Sequence, residues 1–134
     1  MKTSGLVSAI ALACVITVSA ASAQAALKDV AYVRDGIVHV GMAYELSERC
    51  DGLRARLFRG LGFLQSLKRH ASDLGYSDEE IDDYVNDRDE KKRLEAIART
   101  QLIALGVVEG EEASYCAVGR AQIAANTRVG WLLR

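Results

Sequence analysis

No proline occurs anywhere in these 134 residues, and the apolar residues recur at helical steps almost throughout. Proline breaks helices by removing a hydrogen-bond donor and clashing with the preceding turn, so this chain carries no internal veto on helix. The clearest stripe is Leu53, Leu57, Leu61, Leu64, Leu67, Ala71 and Leu74, which keeps one face over six turns. Asp51 is placed to cap that helix, and Gly75 stands where a helix commonly ends in the left-handed conformation. Gly60 and Gly62 lie inside it at roughly 1 kcal/mol each relative to alanine. They are read as places where another helix comes close, with a cofactor contact the lesser alternative.

The same reasoning organises the rest. Residues 26–33 read as a short, extended lead-in rich in Val30, Tyr32 and Val33. Asp35 is the expected cap of a first helix from Gly36 to about Cys50. Ser77-Asp78-Glu79-Glu80 has the form of a capping box, opening a short third helix through Ile81, Tyr84 and Val85. A fourth is expected from Asp89 to Leu105, with Leu94, Ile97, Ala98, Leu102 and Leu105 inward and Gly106 as its stop. After a turn over Val107 to Gly110, a fifth begins at Glu111 and Glu112, whose charge suits the positive helix end. It carries Tyr115, Cys116, Gly119 and Ile123 and is read through to Leu132. The expectation is an all-α, small single-domain bundle of about five helices.

The first 23 residues stand apart. Lys2, the apolar run Leu6 to Val18 and Ala21-Ser22-Ala23 have the form of a secretory signal cleaved after Ala23. The run is shorter than the ~20 residues of a membrane span. A lipid anchor on Cys14 is the lesser alternative, since Ala11 stands where such signals carry leucine. The domain is therefore 24–134, exported to the periplasm or beyond, with Cys50 and Cys116 remaining. An even cysteine count in an oxidising compartment argues for one disulfide between them, stapling the last helix to the corner after the first.

Composition excludes several functions. A net charge of −1 gives no basic excess for nucleic acid, and no HExxH, GxSxG, P-loop or CxxC is present. The acidic run from Asp78 to Glu90 fails as an EF-hand, because Asp83 stands where the loop needs glycine and Asp89 where it needs glutamate. It reads as a solvated face, and no metal or cofactor is expected. Only His39 and His70 could serve as imidazole bases. A site of His39, Tyr44 and Glu45 is the one catalytic alternative, while His70 follows Lys68 and Arg69 near a helix C-terminus, where cations suit the dipole. Arg54, Arg56 and Arg59 make the polar side of the second helix basic. With Trp131 they form the expected interaction surface, although Trp131-Leu132-Leu133 is expected to dock on the bundle.

The early cysteine before a long leucine helix, Leu74-Gly75-Tyr76-Ser77, and Tyr115-Cys116-Ala117-Val118-Gly119-Arg120-Ala121 running on to Leu132-Leu133-Arg134 carry a resemblance. The chain resembles the exported helical proteins of alphaproteobacteria grouped as the domain-of-unknown-function family numbered 5333. The resemblance spans nearly the whole mature chain. Its motifs are structural, and it implies no activity, cofactor or catalytic residue. The function expected is a non-enzymatic binding module, chaperone-like or stress-related, for an envelope protein partner, as monomer or homodimer. The alternatives are an enzyme around His39 and a carrier of a small apolar ligand between helices.

Overall fold

The computed structural model describes residues 24–134; the signal-peptide and Cys14 readings lie outside them. A 3₁₀ turn, Leu27–Asp29, leads into α1 (Ala31–Arg49), α2 (Leu57–Asp73), α3 (Asp78–Asn86), α4 (Arg88–Ala104), α5 (Glu112–Ala124) and the single turn α6 (Arg128–Trp131). No strand forms among the described residues. One antiparallel bridge joins Ala55 to Leu133. The all-helical expectation holds, with six helices in place of about five.

Helix α1 is the spine, packing against α2, α4, α5 and α6. Its Val38, Met42, Ala43 and Leu46 meet Leu94, Ala98 and Leu102 of α4, Tyr115 and Val118 of α5, and Val129, Leu132 and Leu133 beyond. A second, smaller core gathers Leu27, Val33, Ala71, Tyr76 and Ile81 where the lead-in folds back over α2 and α3. That burial corrects the sequence reading of residues 26–33. Val33 is buried, so α1 starts at Ala31, and Asp35 sits inside the helix paired with Arg34 at 2.8 Å.

The helix ends follow local chemistry. After α2, Tyr76 N–H donates to the Ala71 carbonyl and Gly75 N–H to that of Ser72, with Gly75 at φ +96°. This is the paired bonding of a Schellman stop. Gly106 ends α4 in the same way, Val107 N–H reaching Leu102. The capping box is present, Ser77 Oγ accepting from Glu80 N–H and the Glu80 carboxylate from Ser77 N–H. Leu105 is half-exposed rather than inward, because it lies beyond the last turn of α4.

Two boundaries depart from the periodicity. α2 begins at Leu57, since residues 54–56 pair instead with 132–134: Arg54 N–H donates to the Arg134 carbonyl at 2.8 Å, and Arg56 N–H to that of Leu132 at 2.8 Å. Leu53 is buried from this loop. α5 stops at Ala124 because Asn126 adopts positive φ (49°) and Thr127 Oγ1 caps α6 by accepting from Gly130 N–H at 3.0 Å.

The glycines of close approach also differ from expectation. Around Gly60 and Gly62 nothing lies within 4 Å of where a Cβ would sit. Close contacts occur instead at Gly36, against Leu67; at Gly119, against Leu53; and at Gly130, against the α5 backbone.

Candidate functional site

The cysteine pair is a disulfide, with Cα atoms 5.2 Å apart. Cys50 follows α1, and Cys116 lies one turn into α5. Glu112 lies beside both sulfurs, and its carboxylate accepts from Asp51 N–H at 3.1 Å. With the sulfurs bonded to each other, this cluster offers no thiolate ligand.

The arginines serve the chain's own C-terminal segment. Arg56 Nε donates to the Leu133 carbonyl at 2.8 Å and Arg59 Nη1 to that of Trp131 at 3.1 Å. Two guanidiniums, Arg59 and Arg128, lie 5.2 and 5.0 Å from the Trp131 ring centre, and the ring meets Phe63 edge-on. Leu132 and Leu133 are buried, so the segment docks as expected. Arg54 keeps an exposed side chain at this corner. A combined change of Arg54, Arg56 and Arg59 would thus loosen the fold as well as discharge the surface.

His39, Tyr44 and Glu45 share α1, but five and six residues rotate the latter two by about 140° and 240° from His39. Tyr44 looks out beside α2. Glu45 pairs with Arg49 at 3.4 Å and borders α4 and α5. His39 is half-buried, and burial pushes its imidazole below the ordinary histidine range, opposed by Asp35. The three do not converge on one cleft. His70 packs against Tyr32 with the rings tilted at 55° and their centres 4.5 Å apart.

The acidic run divides by role. Asp78, Glu79 and Glu80 occupy the first turn of α3, while the Asp87 carboxylate caps α4 by accepting from the N–H groups of Asp89 and Glu90. Glu90 is buried, which sequence reasoning missed. Its carboxylate accepts from Arg93 Nε and Nη2, both at 2.7 Å, and from the Tyr84 hydroxyl at 3.2 Å. The spacing of Glu90 and Arg93 was visible; the burial came from tertiary packing. The Arg93 hydrogen bonds hold Glu90 below the usual carboxylate range against the opposing effect of burial. Burial, reinforced by Glu90, pushes the Tyr84 phenol up to about 12.

A carboxyl group whose pKa is depressed on folding contributes stability above its unfolded pKa, and that contribution is lost as pH falls through the folded one. Arg93→Ala should therefore lower the urea midpoint at pH 7. The gap to the parent protein should narrow as pH drops below about 4, the ordinary carboxylate range. A gap independent of pH would assign the loss to packing alone.

An apolar groove runs along α1. Val33, Ile37, Val40, Gly41 and Tyr44 form its floor. Leu57, Leu61 and Leu64 of α2 make one wall; Tyr84 and Val85 of α3 and Leu94 of α4 make the other. It comprises three adjoining clefts of about 250, 280 and 140 Å³, joined through shared lining residues such as Leu64. At about 1.5 Å per residue, Val33 to Tyr44 spans roughly 16 Å, or three helical turns.

The groove exists because α2 is apolar over a wider arc than its neighbours cover. Phe63, Leu67 and Ala71 are buried. Successive steps of three residues, each about 60° around the helix, carry the stripe outward through Leu64 and Leu61 to Phe58. Leu57 is 70 % exposed, Leu61 60 % and Phe58 92 %, and across the groove Val85 is 67 % exposed. The sequence stripe is thus real chemistry, but its Leu57–Leu61 edge faces solvent rather than the core.

Among the described residues, no helix is long and apolar enough to cross a membrane. No curated protein and no solved structure matches this chain. The model of the family of unknown function DUF5333 matches residues 25–134, and the chain belongs to that family.

Proposed function

We propose that this is a non-enzymatic interaction module of the bacterial envelope, which binds the apolar surface of a protein partner in the α1–α2 groove. The groove itself carries the reading. Soluble monomers seldom expose contiguous apolar patches beyond a few hundred Å², and here leucines of one helix flank a trough three turns long. Such troughs suit an amphipathic helix laid in with anchors one turn apart. A chaperone-like holding of apolar segments is the form of activity this geometry suits. The disulfide supports an oxidising, extracytoplasmic compartment.

A photo-crosslinking side chain placed at Leu61 or Val85 in living cells tests the reading, with Thr100 on the outer face of α4 as control. The expected result is an adduct of protein mass from the two groove positions and none from Thr100. No adduct, or equal adducts from all three, would overturn the proposal.

A further inference from the structure

We infer that a second copy of this chain occupies the groove in the free protein, each copy's Phe58 ring seated in the other's 140 Å³ cleft. The inference rests on the groove being a protein-binding surface and names its occupant.

Three observations lead to it. The first is a knob and a hole side by side. Phe58 stands almost free of its own chain, 92 % exposed, on the turn of α2 that also contributes Leu57, Gly60 and Leu61 to the cleft. Val40, Ala43 and Tyr44 of α1 line the other side. An apolar cavity of about 150 Å³ accepts one benzene ring, so the cleft has the volume of a phenyl group. Phe58 stands at the outer lip of the cleft, about 60° around α2 from Leu61, so a two-fold axis along that lip seats each ring in the other copy, as an isologous dimer requires.

The second is charge. At the Phe58 end the groove is bordered by Arg56, with Arg59 on the adjoining cleft that shares Arg56 and Leu57. At the far end the wall helix α3 carries Asp78, Glu79, Glu80, Asp82 and Asp83 and no basic residue, and Lys68 pairs with Asp82 at 3.7 Å. A two-fold axis across the groove reverses its direction, bringing the basic end of each copy toward the acidic end of the other. Parallel stacking would set like charges together. Complementary charge of this kind fixes orientation and register more than it adds affinity.

The third is area. Tyr44, Leu57, Phe58, Leu61, Leu64 and Val85 are each at least 36 % exposed, giving an apolar patch of several hundred Å². That approaches the ~800 Å² per partner of a standard stable interface. Gly60 fits the same picture. It lines the cleft with no neighbour within 4 Å of a Cβ position, so its missing side chain serves no contact within the chain and leaves the cleft open.

Sedimentation equilibrium of the oxidised protein, purified after expression of the full sequence, tests this across a wide concentration range. The expected result is a reversible monomer–dimer equilibrium. Phe58→Ala should weaken it by about a hundred-fold, since each dimer loses two buried rings of the kind that dominate interfaces. Its far-UV circular dichroism should stay unchanged, and at concentrations where both proteins are monomeric its melting temperature should not fall, because Phe58 touches little in its own chain. Gly60→Ala should act with opposite signs, raising the monomer's melting temperature through helix propensity while weakening the dimer by narrowing the cleft. A protein monomeric at every concentration overturns the inference, as does a dimer that keeps its constant in both variants. Groove crosslinks to other proteins in cells, found together with a monomer in solution, would end the inference and leave the groove reading standing. Loss of the crosslinks as well would end both.

Discussion

Replacing Cys50 and Cys116 together by alanine should lower the unfolding free energy by about 4 kcal/mol, the loop-entropy value for a closure of this length. The bond links positions 66 residues apart, and between them lie all of α2, α3 and α4. It therefore restricts most of the unfolded chain, while in the folded state it holds the end of α1 against α5. Domains of this size are stable by only about 5–15 kcal/mol, so the loss is a large share of the total. With a urea slope of about 2 kcal/mol/M, the midpoint should fall by about 2 M, and reduction of the parent protein should reproduce the shift. The double variant is the cleaner test because it leaves no lone thiol to react. A midpoint lowered by less than about 0.5 M would mean that packing alone, not the cross-link, sets stability.

The elements that could be read from sequence are those whose cause is local. The Ser77–Glu80 box and the glycine stops at 75 and 106 are sequence-near chemistry, and all three are found where the residues place them. The disulfide pairing followed from compartment and count. What escaped has a distant cause. The start of α2 was misread because Leu53 is in helical register with Leu57, yet residues 54–56 hydrogen-bond to a segment more than seventy residues away. The stop after α5 was missed because Asn126, not glycine, takes the left-handed turn. Gly60 and Gly62 drew attention as close-approach positions, while the contacts fall at Gly36, Gly119 and Gly130. Which glycine is crowded depends on how helices cross, and no spacing rule encodes that.

The candidate site shows the same division. Every α2 leucine of the groove was visible as part of one stripe, but a stripe does not say which of its edges a neighbour will cover. In this fold α1 and α3 cover Leu67 and Ala71, Phe63 meets Trp131 and Arg128 of α6, and the Leu57–Leu61 edge is left over. The arginines were read as an outward surface because the partners of Arg56 and Arg59 are backbone carbonyls at the far end of the chain. The basic corner is thus a clasp for the Trp131 segment and also the charged rim of the groove. Anything that releases the clasp alters the groove, since Leu132 lines its 140 Å³ cleft.

Gly130→Ala is the single substitution that should release it. Gly130 sits in α6 where that turn crosses α5, and a Cβ there would overlap the Gln122 carbonyl and come within 2.6 Å of Ile123 N. Those are backbone atoms of a regular helix and cannot rotate aside as a side chain can. The strain is relieved only by lifting α6, which breaks the Thr127 cap on Gly130 N–H and the pairing of residues 132–134 with 54–56. It also exposes Leu132 and Leu133, 3 % and 1 % accessible in the docked state. At about 1.5–3 kcal/mol for each buried leucine, the expected loss is at least 3 kcal/mol, with Trp131 fluorescence shifting to the red as the ring leaves Phe63 and the two arginines. Gly62→Ala is the matched control. Its Cβ meets open space, so it should gain up to about 1 kcal/mol from helix propensity and leave the tryptophan emission where it was. If Gly130→Ala kept the parent midpoint and emission, α6 would have to slide along α5 without loss, and the C-terminal segment would be a loose cover rather than part of the core.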